Sequence, residues 1–505
     1  MSNQKIEVQK LQQSNYEQLV NTMKAAYSNW GGSVWSERAI KKLLSVFPEG
    51  QLIVMADDQV VGCALSIRVK YDDFGDEHTY NQITGNYSFS THNPNGNVLY
   101  GIEVFIHPDF RGMRLGRRLY DARKELCETL NLKAIVFGGR IPNYHKHSDE
   151  LTPKEYIQKV KQSEIFDPVL SFQLSNDFHV KKVLKNYIPE DAESHEYATL
   201  LQWDNVYYVS NHRQEFRVRR SVRIGLVQWK MRLYDSIDEL FQQAEYFVDA
   251  ISSYKADFAV FPEYFNGPLM AEFEGMNEAE AIRAMSQYTD LITQKFSSLA
   301  VNYNVNIIAG SMPSYDGDTL KNVGYLCHRN GNVERYEKLH VTPDEEKYWG
   351  LKGGNNLQVF DTDAGKIGIL ICYDVEFPEL SRLLAEEGMQ ILFVPYLTDT
   401  QNAYLRVRLC AQARAIENEC YVAITGSVGN LPKVENMDIQ YSQSAVFTPS
   451  DFAFPSNAVK SEATANTEMI LIADVDLKLL DELHSYGSVR NLRDRRKDFY
   501  KVTKL

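Results

Sequence analysis

The chain has 505 residues, with 54 Lys+Arg against 67 Asp+Glu and a formal net charge of −13. That length is more than one ordinary core uses, so two or three domains are expected, and 44% hydrophobic with 24% charged residues excludes a disordered chain. The acidic balance argues against a dedicated nucleic-acid binder, whose phosphate contacts need a clustered basic surface.

The N-terminus, MSNQKIEVQKLQQSNYEQ, is polar and lacks the apolar centre of a signal peptide. Residues 15–26 and 36–46 read as amphipathic helices, the second with Ser36 as N-cap. Strand patterns at 51–56 and 60–69 flank Asp57-Asp58-Gln59, which predicts a hairpin. Residues 72–97 are rich in Asp, Asn, Gly, Ser and Thr and read as an irregular insertion. A strand over 99–106, a turn, a helix over 115–130, a short strand over 133–137 and a helix over 153–162 follow.

Residues 205–209 read as the tail of a strand. HRQEFRVRRSVR, at 212–223, then carries Arg213, Arg217, Arg219, Arg220 and Arg223 and reads as a solvated linker rather than an anion site. The expected domains are therefore 1–210 and 221–505, joined by 211–220. Beyond the linker, strand patterns at 222–228, 258–261, 305–310, 366–371, 390–394 and 421–426 alternate with helices at 241–254, 279–303 and 403–419. Asn330-Gly331 and Asp363-Ala364-Gly365 are hairpin signals. This is an α/β domain with helices covering sheet.

The six cysteines (Cys63, Cys127, Cys327, Cys372, Cys410 and Cys420) form no CxxC pair and are too sparse for a disulfide framework. No apolar run approaches the roughly 20 residues of a membrane span. The expectation is a cytoplasmic protein with neither nucleic acid nor membrane as partner, and no Cys/His spacing suggests a metal.

Cys372 ends the apolar run KIGILIC, at 366–372, just before a helix begins. A strand-to-helix bend beside backbone N–H groups favours a thiolate nucleophile, although a lone cysteine is more commonly a small buried apolar residue. Glu263 follows the strand FAVFP, at the carboxyl edge where α/β sheets place ligands, and Lys338 stands beside His340 after a hairpin strand. The ordered set FPEYF (261–265), YEKLH (336–340) and ICYDVEFPE (371–379) resembles the nitrilase superfamily of carbon–nitrogen hydrolases. RAIEN (414–418) and GSVRNLRDRRKDFY (487–500) extend the resemblance across 222–500.

The resemblance implies an α-β-β-α sandwich, with Cys372 as nucleophile, Glu263 as general base and Lys338 as oxyanion stabiliser. The Tyr373 backbone N–H is a second candidate oxyanion donor. The family's second glutamate falls on Glu345 or Glu346, with Glu345 preferred. His340 reads as a structural residue, and Asp374, Glu376 and Arg382 as supports of the cysteine loop. Tyr264, Tyr348, Trp349, Tyr396 and Thr398 flank the motifs as pocket or packing residues. The implied reaction is hydrolysis of a small-molecule amide, with a nitrile as the alternative substrate, without cofactor or metal, in a homo-oligomer.

In the first half, VFIHPDFRGMRLGRRL, at 104–119, links a strand to a helix and resembles the coenzyme A loop of GNAT-type N-acetyltransferases. The resemblance implies a GNAT-like mixed α/β domain that takes acetyl-CoA at Arg111, Gly112, Arg114, Gly116 and Arg117. Arg114 stands where the family has glycine, which allows close approach of backbone to phosphate. Arg111, Arg114, Arg117 and Arg118 crowd one turn and offer an anion grip of their own. Glu103 lies on the strand before the loop, and Tyr187 is expected on the last helix; both read as structural before catalytic. The domain is thus an acetyltransferase making the chain bifunctional, or a non-catalytic binding module.

Overall fold

A computed structural model describes residues 4–28, 34–189, 191–209, 221–273, 275–432, 434, 437 and 439–504. The chain separates into two compact units, Ser2–Val218 and Arg219–Leu505. The arginine-rich run from 213 to 220 and the expected linker lie outside the described residues. Among the described residues, no helix is long and apolar enough to cross a membrane.

The first unit is built on seven strands: β1 (Ile6–Lys10), β2 (Gln51–Ala56), β3 (Gln59–Val69), β4 (Val98–Ile106), β5 (Ala134–Arg140), β6 (His179–Leu184) and β7 (Ala198–Asp204). Their spatial order is β1-β2-β3-β4-β5-β7-β6. Alternation along the strands splits the core in two. Ile53, Leu65, Tyr100 and Val136 pack with helices Tyr16–Ala26 and Glu37–Val46, while Leu99, Ile135 and Leu201 pack with helix Leu115–Thr129. Ser36 caps the second helix, its Oγ accepting from Ala39 N at 3.2 Å.

Strands β4 and β5 are parallel and pair only over Val98–Tyr100 and Ala134–Val136. Beyond that point β5 continues against β7 while β4 stays on β3, which leaves a wedge between them. A bulge in β4, where Gly101 and Glu103 face the consecutive β3 residues Ser66 and Leu65 and Ile102 is the extra residue, puts Glu103 on the face of Phe105, toward the first two helices.

Two expectations change here. The 72–97 insertion contains helix Tyr80–Thr84, with a Thr79–Gln82 capping box, and it buries Tyr80, Ile83 and Phe89 in the core. Tyr187 is not on a helix: HVKKVL forms the edge strand β6, and Tyr187 sits in the turn after it.

The second unit continues with β8 (Ser221–Met231), β9 (Phe258–Val260), β10 (Asn306–Ile308), β11 (Met312–Asp316), β12 (Thr319–Cys327), β13 (Val333–Glu337), β14 (Phe360–Thr362) and β15 (Gly365–Ile369). It ends with β16 (Ile391–Tyr396), β17 (Tyr421–Asn430), β18 (Ile439–Gln440), β19 (Ala445–Phe447), β20 (Val459–Glu462) and β21 (Met469–Asp476). The main order is β11-β12-β10-β9-β8-β17-β16-β15-β14. Only the last residues of β8 pair with β17, so the sheet folds over and its halves face one another. Val222, Ile224, Leu226 and Phe258 meet Phe393, Val394 and Ile424 between the halves, with the Phe258 and Phe393 rings 5.0 Å apart. Val227 and Trp229 point the other way, onto helices Ile237–Ser253 and Thr289–Tyr303. Helices Pro378–Glu386 and Gln401–Glu417 cover the other half. The result is the four-layered α-β-β-α sandwich. The helix expected over 279–303 divides at the tighter turn Ser286–Tyr288, where Ser286 Oγ donates to Arg283 O.

Candidate functional site

Three strand ends converge in the second unit. Glu263 lies three residues past β9, where it bridges to Ser311. The approach is close: a Cβ on Gly310 would fall 2.0 Å from Pro262 O, and Gly310 has φ +54, so only glycine fits. Lys338 directly follows β13. Cys372 opens the 3-10 turn Cys372–Glu376 after β15 and has φ +48, a left-handed conformation costing a side chain about 1 kcal/mol.

These ends bring Glu263, Lys338, Glu345 and Cys372 together. The Lys338 ammonium donates to Glu263 Oε1 at 2.8 Å and to Glu345 Oε1 and Oε2 at 2.8 and 2.7 Å. Leu397 joins the other two groups: its N–H donates to Glu263 Oε2 at 2.9 Å, and its carbonyl accepts from Cys372 Sγ at 3.6 Å. Leu397 thus holds the Cys372 thiol and the Glu263 carboxyl close enough for each to shift the other's proton affinity. None of the four is more than 7% exposed. Glu345 rather than Glu346 joins the cluster, because Tyr264 OH (3.1 Å) and Thr342 N–H (2.8 Å) hold it inward. Glu346 instead pairs with Lys352 at the surface.

The first unit carries a second feature. The wedge between β4 and β5 opens into a cavity of about 1370 Å³. Arg111, Gly112, Arg114, Gly116 and Arg117 line it, at the N-terminus of helix Leu115–Thr129, whose dipole favours anions. Arg114 has φ +53, which accounts for the glycine expected at that position. Arg118 departs from expectation: it turns away from the loop, and its buried guanidinium donates to Ile6 O.

The profile of the carbon-nitrogen hydrolase family matches residues 223–485, more than half of the chain. The chain belongs to the carbon–nitrogen hydrolase family. Residues 16–148 match the acetyltransferase (GNAT) family, so a GNAT domain precedes the hydrolase domain. The chain is 43% identical to the probable hydrolase YhcX of Bacillus subtilis (strain 168) over 499 residues, 99% of this chain and 97% of that protein. It is 29% identical to the omega-amidase NIT2 of Homo sapiens over 292 residues, 56% of this chain and 98% of that one. The uncharacterized N-acetyltransferase YkwB of B. subtilis is 34% identical over 175 residues, 35% of this chain and 77% of that protein.

Burial dominates the electrostatics of the hydrolase domain. It pushes the Glu263 carboxyl above its ordinary range against the pull of Lys338, and the Glu345 charge adds to the rise. Burial acts on Glu345 in the same sense, but Lys338, Thr342 N–H and Tyr264 OH overcome it and leave Glu345 below the usual value. Lys338 would lose its proton more readily through burial alone; its two carboxylates hold it well above the ordinary lysine value. Burial and the Glu263 charge raise the Cys372 thiol well above normal, with Lys338 opposing. The resting site is thus a neutral thiol beside an ammonium and two carboxyls of unequal basicity.

The supports differ in part from the sequence reading. Asp374 accepts from the N–H groups of Leu339 and His340 at 3.0 and 2.7 Å, tying the lysine turn to the cysteine turn. His340 contacts Asp374 through Nδ1 at 3.0 Å and stacks on Phe377 at 3.7 Å, a structural role as expected. Arg382 does not hold the cysteine loop; it donates to Glu417 O, at the end of helix Gln401–Glu417. Arg414 does that work, donating to Val375 O and Glu376 O at 2.9 and 3.0 Å. Glu376 has Arg406 at 3.7 Å. Asn322, fully buried on β12, donates to Glu263 Oε1 at 2.9 Å and approaches Glu345 Oε1 at 3.5 Å. Arg414 was visible within RAIEN without a role, whereas Asn322 carries no local signal. Tyr264 and Trp349 meet edge-on at 5.4 Å beside the site, while Tyr396 and Thr398 bond to Ser442 and Tyr441 as packing residues. Tyr348 is exposed.

Proposed function

We propose that the hydrolase domain cleaves a small-molecule carboxamide through a thioester on Cys372. The observation that carries this reading is the enclosure of one thiol, one ammonium and two carboxyls around a single point, with Leu397 fixing both Cys372 and Glu263. Glu263 takes the Cys372 proton as sulfur attacks the carbonyl carbon. The oxyanion that forms is stabilised by the Lys338 ammonium, aided by the Tyr373 N–H, in a site from which water is largely excluded. The carbonyl re-forms, the C–N bond breaks, and Glu263 returns the proton to the leaving nitrogen as ammonia or amine departs. A water molecule, deprotonated by Glu263, then attacks the thioester and releases the acid and the thiol. The elevated basicity of Glu263 suits alternating acid and base work. Glu345, held ionised, keeps Lys338 charged and in place.

Amide is preferred to nitrile because curated relatives of this domain, the omega-amidases among them, act on amides by name. Ammonia release from a panel of amides and nitriles, wild type against Cys372→Ala, tests this. Turnover of amides that vanishes in the variant supports the reading. Turnover of nitriles alone replaces amidase by nitrilase, and turnover that survives in Cys372→Ala removes the mechanism.

For the GNAT domain, the wedge cavity and its arginine-lined loop support binding of acetyl-CoA, with Arg111, Arg114 and Arg117 and the helix N-terminus toward its phosphates. Calorimetric titration of the full chain with acetyl-CoA tests this, and the absence of saturable heat rules it out.

A further inference from the structure

Leu397 gives the hydrolase cluster two backbone contacts, and they belong to different peptide planes. The N–H that reaches Glu263 Oε2 lies in the plane shared with Tyr396, and the carbonyl that meets Cys372 Sγ lies in the plane shared with Thr398. Both neighbours are anchored to one segment, Tyr441-Ser442-Gln443. Tyr396 OH shares a hydrogen bond with Ser442 Oγ at 2.7 Å and accepts from Gln443 N–H at 3.2 Å. Thr398 Oγ1 donates to Tyr441 O at 2.7 Å, and Tyr441 N–H returns a bond to Thr398 O at 2.8 Å. Tyr396, Thr398 and Ser442 are all buried. The anchoring segment is itself tied down. Ser442 N–H donates to Asn466 Oδ1 at 3.2 Å, Gln443 Nε2 to Ala463 O at 3.0 Å, and Ser444 N–H to Gln228 Oε1 at 2.6 Å. Strand β17 leaves room for the contact: a Cβ on Gly426 would fall 2.5 Å from the Tyr396 ring and 2.7 Å from Ser442 Oγ.

We propose that Tyr396 and Thr398 are positioning residues of the hydrolase: Tyr396 fixes the peptide plane that holds the general base, and Thr398 fixes the plane that holds the nucleophile. The inference rests on the reading of Glu263 and Cys372 as that base and that nucleophile. The two anchors act on different quantities. A hydrogen bond to a carboxylate favours its ionised form, so loosening the first plane raises the Glu263 carboxyl. Loosening the second leaves the base as it is and lets the thiol drift from it, and a small misplacement of reacting atoms costs rate. The other groups that face Glu263 keep their places. They are Lys338 beyond β13, Glu345 in the turn Glu345–Trp349, the Cys372 thiol, the neutral Tyr264 phenol and the Asn322 amide on β12.

The test is the rate of Cys372 alkylation by iodoacetamide in the full chain as a function of pH, read by peptide mass spectrometry. In that reaction sulfur displaces iodide from carbon and Glu263 takes the thiol proton. Tyr396→Phe should move the acid limb of the rate to higher pH by about 0.5–1 unit. Thr398→Val should slow the plateau rate about tenfold with the limb in place, and Thr398→Ser, which restores the donor, should return to within about twofold of wild type. Half-buried Cys410, labelled in the same digest, monitors folding. Ser442→Ala removes the partner of Tyr396 instead and should repeat the shift, so it replaces Tyr396→Phe where that variant does not fold. The proposal is overturned by any of four results: no labelling of Cys372 in the wild type, an unmoved limb in the folded variant of the Tyr396–Ser442 pair, a Thr398→Val rate equal to wild type, or Thr398→Ser as slow as Thr398→Val. Labelling needs no amide turnover, so failure of the amidase reading in the ammonia panel is distinguishable from failure of this one.

Discussion

Replacing Lys338 by methionine removes the one cation of the buried cluster while keeping an apolar stem of similar length. Three hydrogen bonds of 2.7–2.8 Å are lost, and Glu263 and Glu345 are left facing each other. Breaking a buried ion pair in this way costs about 3–5 kcal/mol at neutral pH. The pH dependence is more diagnostic than the size. In the wild type Glu345 lies below its ordinary value, so its stabilising contribution is present above the unfolded pKa and fades as pH falls through the folded one. Without the ammonium, burial acts unopposed and raises the carboxyls. A raised carboxyl costs stability that grows, above an unfolded value of about 4.3, by about 1.4 kcal/mol per pH unit. For one retained proton, the deficit of Lys338→Met against wild type should widen by about 3 kcal/mol between pH 5 and pH 7. Scanning calorimetry of the full chain at both pH values measures it. A deficit equal at the two pH values, or no deficit, refutes the argument that Lys338 holds two ionisable carboxyls in balance.

The other predictions follow from single contacts. Asn322→Ala removes a donor to Glu263, so the carboxyl rises further and the acid limb of kcat/KM should move to higher pH by about 0.5–1 unit; an unmoved limb means that Asn322 does not tune the base. Arg414→Gln frees the carbonyls of Val375 and Glu376 and should destabilise the hydrolase domain by about 3 kcal/mol in urea unfolding, with loss of turnover as the Cys372 turn slackens. Arg114→Gly removes a side chain held at φ +53, where glycine carries no Cβ penalty, and keeps the loop conformation open to it. Acetyl-CoA affinity measured on that variant separates the contribution of the Arg114 charge from that of the backbone. Tighter binding would mark its side chain as an obstruction, and weaker binding as a phosphate contact.

Much of the fold was legible wherever the signal was local. The hairpins at Asn330-Gly331 and Asp363-Ala364-Gly365, the Ser36 cap and the strand β2 rest on turn chemistry and short-range periodicity, and they stand where those signals put them. The break at Ser286–Tyr288 was hidden because the apolar pattern runs straight through it. Helicity expected at Tyr187 failed because HVKKVL, on a sheet edge, alternates too weakly to reveal a strand. In the site, Glu263, Lys338 and Cys372 stood in ordered motifs at strand ends, and Glu345 was one of two adjacent choices that only packing against Tyr264 and Thr342 separates. Asn322 could not be found, since it joins the cluster across the sheet from a strand without a motif. Arg118 and Glu103 show the same limit: the helix surface and the bulge at Ile102 in β4, both products of tertiary packing, decide where these side chains point.

The central claim is a covalent acyl group on Cys372. Intact-mass and peptide mass spectrometry of enzyme acid-quenched during turnover of a primary amide measures it directly. The account predicts a mass increase equal to the acyl group of the substrate, confined to the peptide that contains Cys372 and absent from Cys372→Ala. Steady turnover with no adduct on that peptide, or an adduct on another residue that persists in Cys372→Ala, would contradict it.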